Sequence, residues 1–268
     1  RLEEVEYELG CINPFHITKK ARLTFRGGPV VGSQAISAIF ASKATDFFAN
    51  AVAAVSAGLT GALHFKGPIP DKNINNLMIT GTAIGSFGFE FELPKPDSFD
   101  LCPEQSIVEK AVDDIRALFE VSATGSDDDL SDLVEEIHPR AISKIYEFLN
   151  YLNEQDAKCG LEFNNKFFRF SSKQQLESAL YRLNDNNIHE EIVTYKGVFS
   201  GALPASRNFE FETEIDKELI KGKISKDISQ PELIVKNWLL KPVKVKFTVI
   251  TIGNSKPKFI LKSLNDIQ

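Results

Sequence analysis

Six lysines near the end of the chain carry the clearest chemical signal: Lys241, Lys244, Lys246, Lys256, Lys258 and Lys262. They interleave with Val243, Val245, Phe247, Phe259 and Leu261. A period of two puts lysines on the outward face of two strands and apolar side chains on the inward face. A ribbon of ammonium groups attracts phosphate or carboxylate, and each neutralised phosphate releases counterions. The ribbon contains no arginine, and Phe247 and Phe259 share the parity of the core. The stacking that single-stranded nucleic acid seeks is therefore missing from this face. Two other uses need no external ligand. Lysines at a sheet edge block strand-to-strand aggregation, and a basic surface docks on an acidic remainder of the same chain.

A second set is the turn Arg26, Gly27, Gly28, Pro29, Val30, Val31, Gly32 and Ser33. It is expected to join a strand to a helix with Ser33 as N-cap, where free backbone N–H groups can hold an anion. It lacks the lysine and glycine positions of a nucleotide-binding loop. A third set is Asp127, Asp128, Asp129, Asp132, Glu135 and Glu136. Its spacing is not that of a calcium loop, and it reads as a solvated helix start that favours the N-terminal dipole.

The histidines His16, His64, His138 and His189 stand far apart, and so do Cys11, Cys102 and Cys159. No metal-ligand spacing, nucleophile elbow or paired-cysteine motif occurs. Cofactor and metal are therefore expected to be none, and no catalytic residue is assigned. Three widely spaced cysteines point to reduced thiols and a cytoplasmic setting. The stretch from Ala35 to Leu63 contains Lys43, Asp46 and Asn50 and reads as a buried helix rather than a membrane span. The start, Arg1-Leu2-Glu3-Glu4-Val5-Glu6, is acidic and has no apolar signal core.

Positioning these groups needs a real core. The chain has 268 residues, 43% apolar and 25% charged, with 21 phenylalanines against one tryptophan and one methionine. Phenylalanine must fill much of that core. The net charge of −6 is unevenly spread: from Lys217 onward eleven lysines face four acids, a balance of +7 that leaves −13 for the rest.

The pattern predicts an α+β protein. Strands are expected at Ala21–Arg26, Ala62–Phe65, Asn76–Thr82 and Phe87–Leu93, and a strand or tight hairpin over Leu161–Phe170 turning at Asn164-Asn165. Helices are expected from about Ser33 to Gly58 or Gly61, over Pro103–Val121, from Asp127, from Pro139, and from a capping box of Ser172 and Gln175. Asn184-Asp185-Asn186-Asn187 reads as a linker. It divides an acidic mixed α+β part, 1–186, from a basic module, 188–268. The module's element order, β-β-β-α-β-β, suits an OB-like or SH3-like barrel. Its first hairpin, turning at Asp216-Lys217, would place Glu212 opposite Lys221 and Glu210 opposite Lys223. The segment Phe-Glu-Phe-Glu occurs at 89–92 and 209–212, and is read as two unrelated strands with glutamate faces.

The functional expectation is a non-catalytic binding or assembly subunit whose lysine-rich barrel docks an acidic protein surface or another copy of the chain, with no membrane partner. The alternatives are nucleic-acid binding along the ribbon and an enzyme with a site near Gly27–Ser33.

Overall fold

The computed structural model describes residues 19–64, 66–70, 77–83, 87–94, 106–184, 187–225, 227–253 and 255–268. Cys11, Cys102, His16 and the expected helix start at Pro103 lie outside them. The chain builds two hydrophobic cores, one of helices on a sheet and one inside a barrel.

The first core rests on an antiparallel sheet of order β4-β5-β1-β6-β7. Its strands are β1 (Lys20–Gly27), β4 (Met78–Thr82), β5 (Phe87–Glu92), β6 (Ala157–Phe163) and β7 (Lys166–Arg169). Alternation explains the sheet's two faces. Ala21, Leu23 and Phe25 are fully buried, while Lys20 and Arg22 point the other way to solvent. Five helices contribute to the same core: α1 (Ala38–Leu59), α2 (Ile107–Thr124), α3 (Asp127–Glu136), α4 (Pro139–Glu154) and α5 (Lys173–Leu183). In α1 the buried residues Ala44, Ala51, Ala54 and Ala57 leave room for close packing. Phe48 then reaches Phe91 at 5.6 Å and Phe148 at 5.7 Å, and Phe119 stacks on Phe148 at 5.9 Å.

The helix expected from Ser33 begins later. Val30–Val31 (β2) and Ala35–Ile36 (β3) pair as a small hairpin, and Ser37 is the N-cap of α1. Ala62 and Leu63 are not a strand. Their N–H groups return to the carbonyl of Ala57 and close the end of α1. Asn164 and Asn165 both take positive φ, as the expected tight turn between β6 and β7 requires. No helix among the described residues is long and apolar enough to cross a membrane.

The second core lies inside a closed five-stranded barrel, order β10-β12-β11-β8-β9. The strands are β8 (Ile188–Leu203), β9 (Asn208–Thr213), β10 (Leu219–Ile224), β11 (Pro242–Ile252) and β12 (Lys258–Leu261), with α6 (Glu232–Trp238) before β11. The order β-β-β-α-β-β stands as read. All pairs are antiparallel except β10 with β12. Closure is possible because β8 is 16 residues long and pairs with β11 along its first part and with β9 along its last. A bulge at Ser200, between Phe199 and Gly201, bends it. Phenylalanine fills the interior: Phe209 stacks on Phe247 at 5.0 Å, and Phe199 meets Phe211 edge-on at 5.2 Å.

The β9–β10 register differs from expectation by two residues. Glu210 lies opposite Lys221 and Glu212 opposite Leu219. The turn is longer than two residues: Thr213 N–H donates to Glu218 O, and Lys217 within the loop takes a positive φ. A slip of two keeps every side chain on its own face, so Phe209, Phe211, Ile220 and Ile224 are buried as expected.

The two Phe-Glu-Phe-Glu strands, read as unrelated, share a local geometry. In β4–β5 a bulge after Ile79 puts Gly81 opposite Glu90, and in β8–β9 a bulge after Phe199 puts Gly201 opposite Glu210. The next strand supplies a cation in both cases. Arg22 Nε donates to Glu90 at 2.8 Å, and Lys221 Nζ lies 3.0 Å from Glu210.

Candidate binding surface and seam cleft

The lysine ribbon divides at Thr248. Lys244 and Lys246 are exposed between buried Val243, Val245 and Phe247. Lys244 lies directly opposite Lys196 on β8, and Lys246 opposite Thr194. No carboxylate lies within ion-pair distance of Lys196, Lys244 or Lys246 among the described residues. A depression of about 400 Å³ beside them is lined by Lys196, Lys217 and Lys244 and by Glu212 and Glu214, with Lys217 3.6 Å from Glu212. Lys241 Nζ donates to Asn237 O at 2.8 Å, at the end of α6.

Beyond Thr248 the same outward face is covered. Thr248, Ile250 and Ile252 on β11 and Ile260 on β12 are buried, and the three isoleucines belong to the core of the helical unit. Here the barrel docks on α3. Lys258 pairs with Asp132, the Lys256 backbone N–H donates to Asp128 Oδ1 at 2.9 Å, and Lys223 Nζ lies 3.4 Å from Glu136. Lys262 pairs within the barrel with Glu190. Burial holds the Glu135 carboxyl above the usual carboxylate range even though Lys223 and Lys258 draw it down.

The acidic run is therefore not simply a solvated helix start. Ser126 and Asp129 form a capping box, as local chemistry favours. Arg182 holds Asp127 at 2.9 Å and donates to the carbonyls of Val121, Ser122, Gly125 and Ser126. A single half-buried arginine thus closes the end of α2 and steadies the start of α3. The remaining acids face the barrel.

The glycine turn takes a different shape from the one expected. Gly27 sits at φ +117, where a Cβ would meet Asp156 O at 2.2 Å, and Gly28 N–H donates to Asp156 O. These glycines let β1 end against the α4–β6 turn. Gly32 and Ser33 lie at the exposed tip of the β2–β3 hairpin, and exposed Arg26 lies opposite Lys158. The helix N-terminus is elsewhere, at Ser37, whose Oγ accepts from Phe40 N–H.

Cys159 is buried in the first core, and desolvation drives its thiol far above the ordinary range. No cluster of three metal-ligating side chains occurs among the described residues. His138 is the N-cap of α4: its Nδ1 accepts from Arg140 N–H at 3.1 Å, and burial pushes its pKa down.

A larger cleft was not legible in the sequence. It opens at the seam between the helical unit and the barrel, with a volume of about 740 Å³. Its walls come from the end of α1, the α3–α4 junction, the β8–β9 loop, and β10 and β12. No short motif links segments so far apart in the chain. The nearest signal is the run Thr248–Ile252, apolar on both strand faces, which implies that something covers the outside of the barrel there. No protein-family model, curated protein or solved structure matches the chain.

Proposed function

We propose that the protein is a non-catalytic binding or assembly subunit that docks an acidic protein surface, with a second copy of the chain as the first candidate. The contact surface in this reading is Lys241, Lys244 and Lys246, joined by Lys196. The observation that carries it is the cross-strand pair Lys196–Lys244, exposed and with no carboxylate within ion-pair distance among the described residues. Like charges directly opposite in a sheet are destabilising, and an incoming carboxylate offsets that cost. The chain has acid to offer in return, with a balance of −13 ahead of Lys217.

The barrel's connectivity supports a second reading. A closed barrel in which strand three pairs in parallel with strand five, with a helix between strands three and four, is the arrangement of OB-type barrels, a class that includes nucleic-acid binders. Two features weigh against nucleic acid. Tyr195, Phe247 and Phe259 turn inward to one another, which leaves no stacking platform beside the lysines. The acidic helix α3 also occupies the β11–β12 side of the barrel. A cytoplasmic setting belongs to the same proposal, on the ground that Cys159 is an unbridged thiol.

Light scattering tests the choice. Mass rising with concentration at low salt and falling at high salt, with Lys244→Glu abolishing the rise, supports self-docking. A salt-sensitive shift only on adding a mixed single-stranded oligonucleotide moves the nucleic-acid reading ahead.

A further inference from the structure

The seam cleft is a second site, independent of the lysine surface. Its volume of about 740 Å³ suits a small ligand rather than a single ion or a macromolecule. Both units contribute aliphatic wall: Leu63 and Ile142 from the helical side, Ile188 and Ile260 from the barrel. No Phe, Tyr or Trp lines it; its only aromatic rings are the imidazoles of His64 and His138. The walls suit a saturated chain.

The cations at its rim are not equivalent. Lys223 is shared by Glu135 and Glu136, and Lys262 is held by Glu190. Arg207 differs. Its Nη1 donates to Ser225 O at 2.6 Å and Ile228 O at 3.1 Å, and no carboxylate lies within ion-pair distance of it among the described residues. Its Nε and Nη2 make no hydrogen bond with the described residues. The guanidinium is thus pinned by one nitrogen and presents its other edge unused. Pinning also involves the backbone: Arg207 sits at φ +52 in the β8–β9 loop, an uncommon conformation for a residue with a side chain.

We propose that the cleft binds an aliphatic carboxylate, with the head group on the free edge of Arg207 and the chain along the isoleucine and leucine wall. A planar two-donor edge matches a carboxylate's two oxygens. With Lys223 and Lys262 held by glutamates, Arg207 is the rim cation left for a negative head, and it acts against the carboxylate of Asp227, which also lines the cleft. Because the walls belong to both units, the ligand also ties the barrel to the helices.

The test is calorimetric titration of the full chain with decanoate, decanol and decyl phosphate, each below its aggregation concentration. Decanoate is expected to bind at one site, with decanol about 10- to 100-fold weaker, the range for losing a charge-assisted hydrogen bond. Arg207→Gln should weaken decanoate by the same factor and leave decanol unchanged. Ser206→Trp, at an exposed lining position outside the core, should block both ligands while preserving the fold, and it serves as the control if Arg207→Gln does not fold. Equal binding of decanoate and decanol, decanoate binding untouched by Ser206→Trp, decyl phosphate binding more than tenfold tighter than decanoate, or no binding of decanoate would each overturn the proposal.

Discussion

The hairpins β4–β5 and β8–β9 share a register, a bulge, a glycine facing a glutamate and a cation from the neighbouring strand. Their surroundings nevertheless diverge. Strand β4 has five residues and ends as the edge of an open sheet, whereas β8 runs for 16 and turns back to meet β11. The motif strand meets a bulged neighbour in both places. What the strand does beyond the bulge dictates whether the sheet stays open under helices or closes on itself. Fold class here is decided by strand length and by the apolar partner available, not by the shared motif.

The largest expected difference lies on the phenylalanine face. Phe209 is 2% exposed inside the barrel, while its counterpart Phe89 is only partly buried. Phe209→Ala should cost about 3–5 kcal/mol in denaturant unfolding and Phe89→Ala about half of that. Equal losses would mean that closure adds nothing to the packing of this hairpin. A middle-sized effect concerns acid and should fall on the helical unit. The pKa of His138 is lowered by burial, with Arg140, Lys262 and His64 also lowering it and Asp227 opposing. A depressed histidine pKa contributes stability above its unfolded value, near pH 6.5, that is lost as pH falls through the folded value. The melting temperature should therefore decline below about pH 6.5, and His138→Asn, which keeps a good N-cap, should flatten that decline. An unchanged slope would place the acid sensitivity elsewhere. The smallest effect is electrostatic. Hydrogen bonds from Arg22 and then Lys20 hold Glu90 below the usual carboxylate range, so Arg22→Ala should raise the Glu90 midpoint in an NMR titration without loss of fold. A midpoint that stays put would show that the cross-strand pair does not form in solution.

Much of this fold is legible in the sequence where period and turn chemistry agree. The element order of the barrel, the Asn164-Asn165 turn and the Pro139 helix start all follow from local residues. The β9–β10 register was missed because parity reports a strand's face, and a four-residue loop preserves parity while moving every pair by two. The start of α1 was missed because Ser33 and Ser37 are both competent caps, and only the pairing of Val30–Val31 with Ala35–Ile36 decides between them. Lys244 and Lys258 look alike in the sequence, and only the placement of α3 leaves one in solvent and sets the other against Asp132. The cleft depends on that same placement.

The central position of β1 has a consequence for synthesis. Leu23 lies between Phe89 on one side and Leu161 on the other. The second partner leaves the ribosome about 140 residues after the first strand, a delay on the order of 10 s at ordinary elongation rates. Throughout that interval β1 has at most one neighbour, and its other edge stays open beside a half-built core. Such an edge is where a nascent chain is most prone to pair wrongly. Lys20, Arg22 and Arg26 on its outer face are then the charges that oppose such pairing until β6 arrives.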